Sequence, residues 1–150
     1  MNHHIPTYLA QSVYDIDYNK LYANGKRVIL FDLDNTLAPY DDATPTDKQL
    51  ELNKKLKEIG FRIYILSNNH QKRTKLYTTT FLVDGYLVLA RKPFVYKIKP
   101  FLKKENIEIT NTILIGDQLL TDIKCANKLG LDSVLVKSIS RKSEKWYTRI

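Results

Sequence analysis

The sequence is poor in cysteine, glycine and proline: its 150 residues hold one Cys, five Gly and five Pro. The lone cysteine, Cys125, excludes an internal disulfide and any multi-cysteine zinc site. There is no linker rich in Gly, Ser or Pro, no low-complexity tract and no internal repeat. No stretch approaches the ~20 apolar residues of a membrane-spanning helix. The start, Met1-Asn2-His3-His4-Ile5-Pro6, lacks a basic region followed by an apolar core, so no secretory signal is legible. These absences lead us to expect a protein of the reducing cytoplasm. Acidic residues are outnumbered, with 16 Asp and Glu against 24 Lys and Arg, a formal net charge of +8 and a pI near 9.5. Leu, Ile, Val and aromatic residues recur along the whole chain, which argues against disorder. The length suits one domain spanning residues 1–150. Its core is expected over about residues 26–137, between an N-terminal extension and a basic C-terminal tail.

What is present is an alternation. Five short apolar runs, rich in β-branched residues, stand at Val28-Ile29-Leu30-Phe31, Ile63-Tyr64-Ile65-Leu66, Tyr86-Leu87-Val88-Leu89, Ile113-Leu114-Ile115 and Ser133-Val134-Leu135-Val136. Strands covered on both faces of a sheet read this way. Helical patterns lie between them. Thr46 is placed to cap a helix carrying Leu52, Leu56 and Ile59, with Gly60 ending it. Leu119, Ile123, Ala126 and Leu129 form a second stripe ended by Gly130. The stretch His70–Thr80 is a weaker helix former because of Thr78-Thr79-Thr80, and His70 is expected to begin or cap it. A further helix is expected from near Lys99, with Pro100 in its first turn. The pattern predicts an α/β fold: a doubly wound, Rossmann-like, mostly parallel five-stranded sheet with helices on both faces.

In such sheets ligands bind beyond the carboxyl ends of the strands. The runs end in Asp32-Leu33-Asp34-Asn35-Thr36, in Ser67-Asn68-Asn69, in Ala90-Arg91-Lys92-Pro93 and in Gly116-Asp117-Gln118, with Asp122 five residues beyond Asp117. Carboxylates from Asp32, Asp34 and Asp117 would repel one another unless a hard cation such as Mg²⁺ sat among them. Ser67 and Lys92 are donors suited to phosphate oxygens. A metal clamp beside anion donors is the layout phosphoryl transfer needs.

These motifs, in this order, resemble those of the haloacid dehalogenase (HAD) superfamily of aspartate-nucleophile phosphatases. Asp32-Leu33-Asp34-Asn35-Thr36 is similar to its first motif, Ser67 to the second, Lys92-Pro93 to the third, and the stretch from Gly116 to Asp122 to the acidic fourth. The wording Asp-Asn-Thr-Leu, Ser-Asn-Asn, Ala-x-Lys-Pro and Gly-Asp-Gln-x-x-Thr-Asp further resembles the type IIIA phosphatases of the YqeG family, over residues 26–137. The resemblance implies Asp32 as nucleophile and Asp34 as general acid and base. It implies Mg²⁺ held by Asp32, by Asp117 and by Asp34 through its backbone carbonyl. Asp122 would act one step removed, through water. Ser67 and Asn68 would bind the phosphoryl oxygens, Lys92 would neutralise their charge, and Thr36 would brace the turn after Asp34.

Spacing adds one expectation. Ser67 follows Asp34 by 33 positions and Lys92 follows Ser67 by 25, which a helix and a strand fill each time. No cap domain fits, so the site is expected to be open and suited to a bulky phosphate ester. A related family acts on phosphatidylglycerophosphate, making a lipid phosphate the analogy.

Other readings compete with this one. An EF-hand lacks its Gly and distal Glu here. A phospho-acceptor receiver domain spreads its acidic residues differently over its strands. A non-catalytic module binding Mg²⁺ and phosphate on the same fold remains the alternative. Lys99-Pro100 competes for the third motif, and Lys92 is preferred because it directly follows a strand. Asp15-x-Asp17 lacks a preceding apolar run and reads as a solvated turn, and Cys125 reads as a small buried hydrophobe. Positive charge gathers in the tail from Lys137 and in Arg91, Lys92, Lys97, Lys99, Lys103 and Lys104. Beside a solvated surface, this admits peripheral contact with an anionic membrane, as do Trp146 and Tyr147 in the tail. Nucleic acid is a less apt partner, because no RNA-binding motif or aromatic stacking platform appears.

Overall fold

The computed structural model describes residues 4–139, so His3 and the tail beyond Ile139, with Trp146 and Tyr147, lie outside the described residues. Six strands form one sheet: β1 (Tyr8–Ala10), β2 (Val28–Phe31), β3 (Arg62–Leu66), β4 (Gly85–Leu87), β5 (Thr112–Gly116) and β6 (Asp132–Val136). Their order is β1-β6-β5-β2-β3-β4 and every pairing is parallel. The chain builds outward from β2 through β3 to β4, then returns to the other side of β2 with β5. The order therefore reverses between β2 and β5, where a crevice opens at the carboxyl ends.

Alternation sorts the strand side chains between two cores. Ile29, Phe31, Ile63, Ile65, Ile113 and Ile115 face one side, against Leu21 of α1 (Tyr18–Ala23), Leu52 and Leu56 of α2 (Asp47–Ile59) and Tyr77 of α3 (Gln71–Thr78). Val28, Leu30, Tyr64, Leu66 and Leu114 face the other, against Ile98 and Leu102 of α4 (Ile98–Lys104) and Cys125 and Ala126 of α5 (Lys124–Leu129). Burial of each such Leu, Ile or Phe contributes about 1.5–3 kcal/mol, which is why the strands read as unbroken apolar runs. Cys125 is buried in the second core, as expected.

Local signals hold where they are strong. Thr46 and Gln49 close a reciprocal capping box at the start of α2, and Gly60 follows its end at φ 122°. Pro100 stands in the first turn of α4, and His70 occupies the N-cap position of α3. Asp17 caps α1 by accepting from the Lys20 N–H, so the Asp15-x-Asp17 turn is exposed and also starts a helix. The doubly wound parallel sheet has one strand more than the five expected. The extra one, β1, is three residues long and exists only by pairing with β6, 126 positions away in sequence. That non-local partner is invisible to periodicity. No domain is inserted after β2 or β3: α2 and β3 fill the stretch from Asp34 to Ser67, and α3 and β4 that from Ser67 to Lys92. No described helix is long and apolar enough to cross a membrane.

Candidate active site

The site starts where the β2–β5 ladder ends. Phe31 pairs with Ile115, and the Asp32 N–H donates to the Ile115 carbonyl at 2.9 Å. That register carries Asp32 and Asp117 out of the sheet side by side. The hydroxyl of Thr36 lies 3.1 Å from Asp32 Oδ2 and 3.1 Å from Asp117 Oδ1. It has one proton for two carboxylates, so it ties them together without neutralising either. Thr36 reaches back because the chain reverses immediately after Asp34. Asn35 takes φ 64° there, a left-handed conformation that Asn tolerates, and its N–H donates to Ala38.

Asp122 arrives by a different device. One turn of π-helix, Leu119–Ile123, precedes α5 and turns the Asp122 carboxylate back over Gly116. A π-turn widens the helix by one residue and recurs at functional sites. Oδ2 of Asp122 accepts from the Gln118 N–H at 3.3 Å. The carboxylate runs so close to Gly116 that any Cβ there would collide with it. Asp32, Asp117 and Asp122 each offer an oxygen, and the three oxygens lie within 4.8 Å of one another.

Lys92 completes the cluster. Its ammonium donates to Asp32 Oδ1 at 2.9 Å, to Asp122 Oδ1 at 2.8 Å and to the Leu66 carbonyl at 2.7 Å, using all three protons. The rival Lys99 is exposed on α4. Three carboxylates against one ammonium leave two negative charges uncompensated, the charge of one divalent cation. The electrostatics reflect this. Burial, then repulsion by Asp117, lifts Asp32 to about 7 although Lys92 opposes the shift. Burial and the neighbouring carboxylates lift Asp117 and Asp122 to about 6. Burial alone would lower Lys92, but Asp122 and Asp32 outweigh it and hold the ammonium protonated.

Other expected residues are placed as follows. Ser67 is fully buried at the end of β3, and its Oγ accepts from the Asn69 N–H at 3.0 Å. Asn68 does not present its side chain as a free anion donor. Its amide grips the Lys92 backbone, donating to the carbonyl at 3.0 Å and accepting from the N–H at 2.8 Å. It thereby fixes the loop that carries Lys92, where the Lys92–Pro93 bond is cis. The side chain of Asp34 lies outside the carboxylate cluster. It accepts from Asn69 Nδ2 at 3.0 Å and from Arg73 Nε at 3.0 Å.

Arg73 and Asn69 are the residues that sequence reasoning missed. The Arg73 side chain, on α3, is only 9% exposed and also donates to the carbonyls of Pro39, at 3.1 Å, and Asp42. One guanidinium thus orients Asp34 and pins the segment that follows it. A carboxylate offers about four acceptor sites. These two donors occupy two of them and fix the directions of the rest. Asn69 was visible in Ser-Asn-Asn; Arg73 sits among exposed polar residues and belongs to no motif. Ser138, two residues past β6, also hydrogen-bonds Asp117.

A largely buried acidic triad, its lysine and a separately held second aspartate stand together at the switch point of a parallel sheet, an arrangement fitted to a divalent cation and a phosphate ester. The comparisons agree. Residues 89–146 match the family model described as "HAD-hyrolase-like". The chain is 30% identical over 145 residues to "Probable phosphatase YqeG" of Bacillus subtilis, covering 97% of this chain and 83% of that one. It therefore belongs to the HAD superfamily, in the YqeG group of phosphatases. Solved structures share the fold. A hydrolase from Streptococcus pneumoniae matches with TM-score 0.61 at 15% identity, over 84% of this chain and 100% of that one. The 3-deoxy-D-manno-octulosonate 8-phosphate phosphatase of Moraxella catarrhalis matches with TM-score 0.54 at 14% identity, over 87% and 91%. That structure contains a magnesium ion and a phosphate ion.

Proposed function

We propose that this chain is a single-domain, Mg²⁺-dependent phosphatase that hydrolyses a phosphate monoester through an aspartyl-phosphate on Asp32. The observation that carries the reading is the convergence of Asp32, Asp117, Asp122 and Lys92 from three separated strand ends. The donor set is all oxygen, as Mg²⁺ prefers, and its uncompensated charge matches one divalent ion. Asp32 and Asp117 would hold the ion, with Asp122 beside them and the Asp34 carbonyl within reach of the same loop. Bound there, Mg²⁺ would supply charge stabilisation for the transferring phosphoryl group.

The protein's own groups divide the remaining work. A carboxylate oxygen of Asp32 bonds to phosphorus as the ester P–O bond breaks. Asp34, held by Asn69 and Arg73, delivers a proton to the departing oxygen. It then takes one from the water that splits the aspartyl-phosphate, releasing inorganic phosphate and restoring Asp32. The Ser67 Oγ already accepts from Asn69, so its own proton is available to a phosphoryl oxygen. Lys92 stabilises charge on the phosphoryl group, and Asn68 contributes by positioning Lys92.

With no inserted cap, the site accepts a bulky ester, and a lipid phosphate such as phosphatidylglycerophosphate is the substrate by analogy. The enzyme would then work in the cytoplasm, peripherally at an anionic membrane. Hydrolysis of p-nitrophenyl phosphate with Mg²⁺ or with chelator tests the chemistry. Mg²⁺-dependent turnover is expected, with a loss of about three orders of magnitude in Asp32→Asn. Equal rates for the variant and the native chain would leave the non-catalytic module as the reading.

A further inference from the structure

The loops beside the site expose three large apolar side chains. Phe94 is 60% exposed, Tyr96 65% and Leu120 67%. Phe94 stands two residues after Lys92, and Leu120 stands two before Asp122, so both flank residues of the carboxylate cluster. They belong to one surface. Leu120, Lys124 and Lys128 follow one another at intervals of four along the π-turn and α5, and Lys128 Nζ lies 5.4 Å from the centre of the Phe94 ring.

The charge around them has one sign. Residues 90–104 carry six basic and no acidic side chains, and residues 118–131 add Lys124 and Lys128. The only acid in either segment, Asp122, is buried on Lys92. Both segments lie on the side of the sheet that bears α4 and α5. On the opposite side charges of both signs mix along α2, where Asp47, Glu51 and Glu58 stand among Lys48, Lys54, Lys55 and Lys57.

We propose that Phe94, Tyr96 and Leu120, ringed by Arg91, Lys97, Lys124 and Lys128, form a membrane-docking edge that seats the site against a bilayer bearing anionic lipid. Aromatic and aliphatic tips flanked by cations are the chemistry of an interfacial anchor: the apolar groups enter the headgroup boundary and the cations meet lipid charge. Nucleic acid fits less well. Leu120 cannot stack on a base, and Lys128 already covers the face of Phe94. The docking deepens the phosphatase reading, and rests on it for the meaning of the orientation. It brings the mouth of the site to the depth at which a lipid phosphate presents itself.

Vesicle co-sedimentation of the full chain tests this, with phosphatidylcholine alone and with phosphatidylcholine plus phosphatidylglycerol. Binding is expected to the anionic vesicles only. It should weaken about tenfold in the double variant Phe94→Ser, Leu120→Ser and by a similar factor in Lys124→Glu, Lys128→Glu. p-Nitrophenyl phosphate hydrolysis in solution and the thermal midpoint should stay unchanged, because none of these side chains is buried. Undiminished vesicle binding by the double variant would overturn the proposal, as would tighter binding to RNA than to vesicles. Vesicle binding without any turnover would count against the phosphatase reading and leave the docking edge standing.

Discussion

Gly116 is the most informative position to perturb, because a single methyl group there acts on Asp122 alone. Gly116 lies in β5 with ordinary strand geometry, so alanine costs nothing through the backbone. The cost comes from space: the new Cβ would occupy the volume of the Asp122 carboxylate. Asp122 must rotate away, breaking its 2.8 Å contact with Lys92 and its acceptance of the Gln118 N–H. Loss of a buried, charge-assisted hydrogen bond costs about 1.5–3 kcal/mol. Part of that is offset, because moving one carboxylate away relieves repulsion on Asp32 and Asp117. The net destabilisation of metal-free protein should therefore be only about 1–2 kcal/mol. The larger effect is on the cation. A ligand at a hundred times its dissociation constant stabilises the native state by about 2.7 kcal/mol, and Gly116→Ala should lose most of that increment. Urea unfolding of both proteins, with Mg²⁺ and with chelator, measures the two quantities separately. Asp122→Asn serves as the control that keeps the shape and removes the charge. If Gly116→Ala gains as much stability from Mg²⁺ as the native chain and turns over at the native rate, the placement of Asp122 in the site is wrong.

Two further outcomes are expected. Arg73→Ala should lower kcat/KM by about 10²-fold for an alkyl phosphate, whose leaving oxygen needs a proton, and much less for a dinitrophenyl phosphate, which departs without one. Arg73→Lys should restore part of the loss, and an equal loss on both substrates would reduce Arg73 to a structural role. The second outcome concerns pH. Asp32 is raised to about 7 and Asp117 and Asp122 to about 6, all above ordinary carboxylates, so the metal-free native state binds protons more tightly than the unfolded chain. Its stability should fall as pH rises from about 4 through 7, by about 1–3 kcal/mol in urea titrations with chelator. Saturating Mg²⁺ should remove that slope and itself bind more weakly below pH 6; greater stability at pH 8 than at pH 5 without metal would contradict it.

The sequence alone determined the fold class and the chemical inventory of the site. Short apolar runs are a local consequence of burial on both faces, and each run named the residue that ends it: Asp32, Ser67, Asp117. Lys92 was legible for the same reason, although β4 ends at Leu87 and the chain passes through Leu89 and Arg91 at positive φ before reaching it. Tertiary structure decided what those residues touch. The grip of Asn68 on the Lys92 backbone spans 24 positions, and the hold of Arg73 on Asp34 spans 39. No periodicity records either contact, since it depends on where β3 and α3 dock. Strand β1 likewise arises from a partner at the far end of the chain. Periodicity reports which face of an element is buried. Only packing at the β2–β5 switch brings carboxylates 85 and 90 positions apart into one cluster with Asp32, where their repulsion creates the demand for a cation.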